Sequence, residues 1–211
     1  MTTTIDHLVV AASTLDEGSA HVAARLGVAP GGGGRHERMG THNRLLRIGA
    51  STYLEVIAID PEAPPPARPR WFGLDERDAH APPTLVGWMV RTTRIDLMIA
   101  SLPAALAARL GPVTPMRRDD LAWSLTIPAD GRPVDDGAMP GVIDWLASPH
   151  PSGRLVDHGL VLESLVVTHP DADALRAALR AMDFRGPVAV RRGDARLAAS
   201  IRTADGVRRL T

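Results

Sequence analysis

The chain has 211 residues, 45% of them hydrophobic, enough to bury a core as one domain or two small ones. Its formal net charge is zero, so the global electrostatic footprint of a nucleic-acid binder is missing. With neither Cys nor Lys, it excludes a cysteine nucleophile, a disulfide, an iron–sulfur cluster, pyridoxal phosphate (PLP) on a lysine, and a phosphate-loop lysine. Met1-Thr2-Thr3-Thr4 runs straight into an apolar segment with no signal-peptide stretch, and no apolar run approaches the roughly 20 residues that span a bilayer. The expected setting is cytoplasmic, with no membrane and no nucleic-acid partner.

In chain order, Ile5–Ala11 reads as a strand. Ser13-Thr14-Leu15-Asp16-Glu17 then signals a helix start, and Leu15, Val22, Ala23 and Leu26 fall on one helical face before Gly27. Gly31–Gly34 lacks the preceding strand and the lysine of a phosphate loop and is expected to be a flexible loop. Strands at Asn43–Ile48 and Thr52–Ile59 flank the turn Gly49-Ala50-Ser51, and the proline-rich Pro61–Pro66 ends the unit. The plan recurs with a strand at Leu85–Thr92, a helix at Ile95–Leu110 that Pro103 kinks or delays, and strands at Leu121–Ile127 and Val142–Ala147. A third, shorter copy has a strand at Leu160–Thr168, a helix at Ala172–Met182, and strands at Val188–Arg191 and Leu197–Arg202. Its opening, Leu162-Glu163-Ser164-Leu165-Val166-Val167, matches Ile5-Asp6-His7-Leu8-Val9-Val10, which points to one copied unit.

His7 and Glu55 each stand inside an apolar strand. Strands alternate faces, so a polar residue there is aimed at solvent or into a site. An imidazole and a carboxylate on one sheet are the usual ligand types for first-row metals, and equally a hydrogen-bonded pair that holds two strands in register.

Ile5-Asp6-His7-Leu8-Val9-Val10, Gly40-Thr41-His42-Asn43, Tyr53-Leu54-Glu55-Val56-Ile57-Ala58, and Gly141-Val142-Ile143-Asp144-Trp145 with His150-Pro151 resemble the glyoxalase/bleomycin-resistance, or vicinal oxygen chelate, superfamily. The likeness is closest to its glyoxalase-like domain proteins. It implies an α+β fold of repeated βαβββ units whose curled mixed sheets surround a cavity. The units would be residues 1–60, then a connection at 61–83, a second unit at 84–150, and the shorter βαββ unit at 160–211 packed on the others. Metal ligands in that superfamily come from the first and last strand of each unit. His7 and Glu55 match the first-unit positions, while Trp88 and Asp144 fall on those of the second. An indole nitrogen is only a donor and cannot ligate, which leaves His7, Glu55 and Asp144 for a divalent Zn, Mn, Fe or Mg.

The same resemblance implies a small carbonyl or carboxylate molecule as ligand, with Glu55 or His7 as general base, in a lyase, isomerase or dioxygenase. The alternative is a metal-free binding or sequestering protein without catalysis. Whether the units pair within one chain or across a homodimer stays open. Either His42 or Asn43 should face the cavity beside His7. Trp88, Trp123 and Trp145 read either as core or as the wall of an apolar pocket. His150 sits in a loop after a strand, a common place for functional residues. His36, His80, His158 and His169 read as surface, and the arginines of the last third, from Arg176 to Arg209, as a solvated face.

Overall fold

The computed structural model describes residues 2–211; Met1, the first residue of the expected opening unit, lies outside them. Strand Thr4–Ala11 (β1) leads to helix Leu15–Leu26 (α1). Thr14 caps that helix by accepting from the Glu17 N–H, Asp16 and Glu17 favour its positive end, and left-handed Gly27 closes it. Strands Gly31–His36 (β2), Thr41–Arg47 (β3) and Tyr53–Ile59 (β4) complete the first unit. The second comprises Thr84–Arg91 (β5), helices Ile95–Ser101 (α2) and Ala104–Leu110 (α3), and strands Val113–Arg118 (β6), Leu121–Thr126 (β7) and Gly141–Asp144 (β8). Last come Val161–His169 (β9), helix Ala172–Ala181 (α4), Val188–Arg192 (β10), Arg196–Thr203 (β11) and Gly206–Leu210 (β12).

The first two units share one eight-stranded sheet, ordered β2-β3-β4-β1-β5-β8-β7-β6. In each, the last strand returns parallel beside the first, and the units join where β1 pairs antiparallel with β5. The pairing is therefore within one chain. The sheet curls until its edges meet: Arg38, before β3, donates to the Pro115 carbonyl of β6 at 2.8 Å. The result is a nearly closed barrel of mixed α+β type. Its outer face (Leu8, Val10, Leu54, Val56, Trp88, Val90) packs in one core with the helices and the C-terminal sheet. Its inner face carries a second cluster around Val9, Ile57, Met89, Leu125 and Ile143. Trp71 and Leu74 of the proline-rich connection join that inner cluster, so the connection covers the barrel rather than merely spacing two units.

Residues 161–210 form a separate sheet, β10-β9-β11-β12. Here β10 lies directly parallel to β9, where the other units place their last strand, and the intervening hairpin is missing. The arginines of this region are exposed.

Four local expectations change. Gly31–Gly34 is not a loop but the start of edge strand β2, with a register shift against β3. Gly33 (φ 90°) presses so closely on the Asn43 carbonyl that any side chain would overlap it. Pro103 splits the expected long helix into α2 and α3, because it cannot donate an interior helical hydrogen bond. Strand β6 was hidden by Pro115, tolerated because β6 is an edge. Strand β12 was hidden by its exposed arginines.

Candidate functional site

The site begins with an irregularity in β1. Ile5 pairs with Val90 and His7 with Met89, so Asp6 is an extra residue that faces no partner on β5. Such a bulge breaks the alternation of faces, and it brings Asp6 Oδ1 to 2.6 Å from His7 Nδ1. The other carboxylate oxygen accepts from Trp145 Nε1 and His150 Nε2, both at 3.0 Å. The Ser152 N–H points at His150 Nδ1 from 3.3 Å, which leaves Nε2 as the donating nitrogen of that ring. Burial pushes the Asp6 carboxyl up, but the hydrogen bonds from His150 and His7, with their charge, outweigh it and hold it well below the usual carboxylate range.

On the far side of the same ring, His7 Nε2 lies 3.5 Å from Glu55 Oε2. Tyr53 stacks on His7 with ring centroids 4.6 Å apart. Burial, and then the charges of Asp6 and Glu55, push the Tyr53 phenol far up, so it stays neutral. Glu55 Oε1 accepts from Asn43 Nδ2 at 2.6 Å. The Asn43 amide cannot turn over without loss, because its Oδ1 accepts from the Gly34 N–H (2.9 Å) and Arg118 Nη1 (3.2 Å). Beyond it, His36 Nε2 sits 3.4 Å from Asn43 Nδ2 and 3.5 Å from Arg118 Nη1, with Nδ1 3.1 Å from Thr41 Oγ1.

Burial, and then the Arg118 charge, lower the His36 pKa to about 3, so this imidazole is neutral at pH 7. Its folded value lies below its unfolded one, so the unfolded chain binds the extra proton first. Stability is therefore lost as pH falls from about 6.5 toward 3, by at most about 1.4 kcal/mol per pH unit. Denaturant unfolding at several pH values should show a steeper acid slope for wild type than for His36→Gln; parallel slopes would mean His36 is not held neutral by burial.

Of these, His7, Tyr53, Glu55, Asn43, His36 and Arg118 face a hollow walled by Trp71, Trp123, Trp145 and Leu125. Its free volume is about 30 Å³.

The structure thus brings together His7, Glu55, Asn43, Trp145 and His150 of the expected site residues. Three others lie elsewhere. His42, next to Asn43 on β3, takes the opposite face, in the field of Asp60, Arg35, Arg44 and Glu62. Trp88 is on the outer face, its Nε1 donating to the Ala138 carbonyl at 3.1 Å and its ring edge-on to Phe184. Asp144 accepts from the N–H groups of Ile95 (3.2 Å) and Leu146 (2.8 Å), capping α2 instead of reaching a metal. Removing that cap with Asp144→Ala should lower stability by about 1 kcal/mol, read as a shifted denaturant midpoint; a loss of ligand binding instead would return Asp144 to the site.

The physical reason is register. The Ala12 N–H bonds to the Ile57 carbonyl and the Thr92 N–H to the Ile143 carbonyl, both at 3.0 Å, which aligns the two units. Both first strands also carry a bulge at the matching place, Asp6 in β1 and Val86 in β5. Counting back from these anchors, Gly87 stands where His7 stands and Gly141 where Glu55 stands. The expected alignment on Trp88 was one residue out, and one residue turns a side chain to the other face.

Of the four strand positions, then, only His7 and Glu55 carry donors. Among the described residues, no three His, Asp or Glu side chains converge as metal ligands would. Two donors fall short of the three protein ligands usual for catalytic zinc or for non-haem iron(II). The donor set does not fit a resident metal on His7, Glu55 and Asp144.

The residues that sequence reasoning missed are Asp6, His36, Arg118, Tyr53 and Trp71. Asp6 beside His7 inside an apolar run was a legible signal. His36 and Arg118 depended on two edge strands that glycine and proline disguised.

Two βαβββ units closing one curled sheet around a polar hollow define a glyoxalase-type fold. A hypothetical protein from Staphylococcus aureus is similar over 93% of this chain and 88% of its own, with TM-score 0.65 at 15% identity. Methylmalonyl-CoA epimerase from Mycobacterium tuberculosis matches 71% of this chain and 91% of its own, with TM-score 0.44 at 16% identity. No protein of curated function matches the sequence. A family profile described as a glyoxalase-like domain matches residues 5–182, and the chain belongs to that family. Among the described residues, no helix is long and apolar enough to cross a membrane.

Proposed function

We propose that the hollow binds a small carbonyl or carboxylate molecule and moves a proton on it, with Glu55 and His7 as the acid–base pair. The observation that carries this reading is the buried line Asp6–His7–Glu55, held at both ends and opening on a hollow walled by three tryptophans. Glu55 has one oxygen tied to Asn43 and the other turned toward His7, so it is oriented as a base. It takes the proton from the carbon next to a carbonyl; the C–H electron pair becomes the C=C bond and the C=O π pair moves onto the oxygen. With Nδ1 donating to Asp6, His7 works through Nε2, which can hand a proton to that oxygen and take it back; Asp6 stabilises the imidazolium form. Arg118 puts a positive charge beside Asn43, suited to a substrate carboxylate. Proton return to the same or another atom gives exchange, epimerisation or isomerisation.

The test is proton NMR of short 2-oxo and 3-oxo acids with the protein in D2O. Loss of the α-proton signal faster than in buffer is expected for at least one of them. Binding detected by thermal shift with no exchange across the panel would make the protein a sequestering binder, and neither binding nor exchange would overturn the site.

A further inference from the structure

We propose that the second half of the barrel is an apolar chamber that receives the tail of the same molecule. The substrate class is then a 2-oxo or related acid with a short aliphatic or aromatic side chain. This rests on the reading of His7 and Glu55 given above.

The internal symmetry of the barrel supplies the first observation. Where the first unit has His7, Glu55 and Asn43, the second has Gly87, Gly141 and Leu125, since Asn43 pairs with Ile57 and Leu125 with the matching Ile143. The polar hollow therefore has an apolar counterpart. That counterpart, lined by Gly87, Met89, Leu110, Ile127 and Met139, has a free volume of about 40 Å³, against about 30 Å³ for the polar hollow. It shares Trp71, Phe72 and Leu125 with the polar hollow, so these three side chains form the wall between the two.

The second observation concerns Gly87. Its backbone does not lie in the left-handed region, and a Cβ there would meet only the Phe72 ring at 3.7 and 3.8 Å, an ordinary contact. Neither conformation nor packing demands glycine in the middle of this buried strand, where it weakens pairing. Space kept open at a cost to the strand is space for an occupant. At Gly141 a Cβ would lie 2.6 Å from Met89 Sδ, so the adaptable Met89 thioether fills the place of the missing side chain and can yield to a ligand. Phe72 stands between the two chambers at φ 59°, an unusual conformation for a bulky residue of the kind that clusters where ligands are clamped.

The experiment measures affinity by quenching of tryptophan fluorescence for pyruvate, 2-oxobutanoate, 2-oxohexanoate and phenylpyruvate, with indole as a purely apolar probe. Affinity should rise about 3- to 4-fold per added methylene. Gly87→Leu should weaken the long members at least tenfold, so that they bind no better than pyruvate. Gly87→Ala, a smaller intrusion that the contacts allow, should weaken them less and covers the case in which the leucine variant fails to fold. Flat affinity along the series with no effect of either variant overturns the chamber while leaving the His7–Glu55 reading. Indole binding that is lost in Gly87→Leu, with no acid bound, overturns that reading while supporting the chamber.

Discussion

Exchange of the α-proton of a bound 2-oxo acid is expected to slow by about 10²- to 10⁴-fold in Glu55→Gln. Glutamine keeps the volume of Glu55 and an oxygen for Asn43 Nδ2, so the neighbours at 2.6 and 3.5 Å stay in place. What it removes is the ability to accept a proton. Affinity for the acid should change far less than the exchange rate, because Arg118 and the tryptophan walls are untouched. A variant that exchanges as fast as wild type would show that Glu55 is not the base. Equal loss of binding and exchange would show that its charge holds the ligand rather than moving the proton. Asn43→Leu gives a useful comparison: it leaves the carboxylate but frees its orientation, and should lower the rate by a smaller factor than Glu55→Gln.

Asp6→Ala should be the most destabilising single change in the site, by about 3–5 kcal/mol at neutral pH. The carboxylate is fully buried and accepts from His7, His150 and Trp145. Its loss strands three donors at once, out of reach of water. Because the folded pKa is depressed, the stabilisation is complete above the unfolded value and fades as pH falls through the carboxylate range and below. The gap between wild type and variant, measured by urea unfolding, should therefore narrow below about pH 4, the ordinary aspartate value. Asp6→Asn restores one acceptor and should recover part of the loss. A gap below 1 kcal/mol would mean that Asp6 is not the anchor of His7 and His150.

Much of the architecture was readable before any coordinates. The apolar runs at Ile5–Ala11 and Thr52–Ile59, the Thr14 cap and the Gly27 stop are local signals, and local signals survive folding. The same holds for His7 and Glu55, whose polarity inside apolar strands marks them. The failures share one cause. Gly31–Gly34 and Pro115 carry poor strand propensity, yet both belong to edge strands, where one side of the backbone has no partner to satisfy. Chain composition cannot see the position of a strand within its sheet. His36, carried on such a strand, therefore read as surface although it is buried against Trp71.

The sequence by itself determined the repeated units, the absence of thiol and amine chemistry, and the two polar residues at the heart of the first half. Only the tertiary structure decided what surrounds them. Pairing of β1 with β5 sets the bulge that turns Asp6 toward His7, and it sets the register that makes Gly87, not Trp88, the second unit's counterpart of His7. A face in a β-sheet changes with every residue, so a one-residue uncertainty that hardly matters for recognising a strand settles which side chains meet.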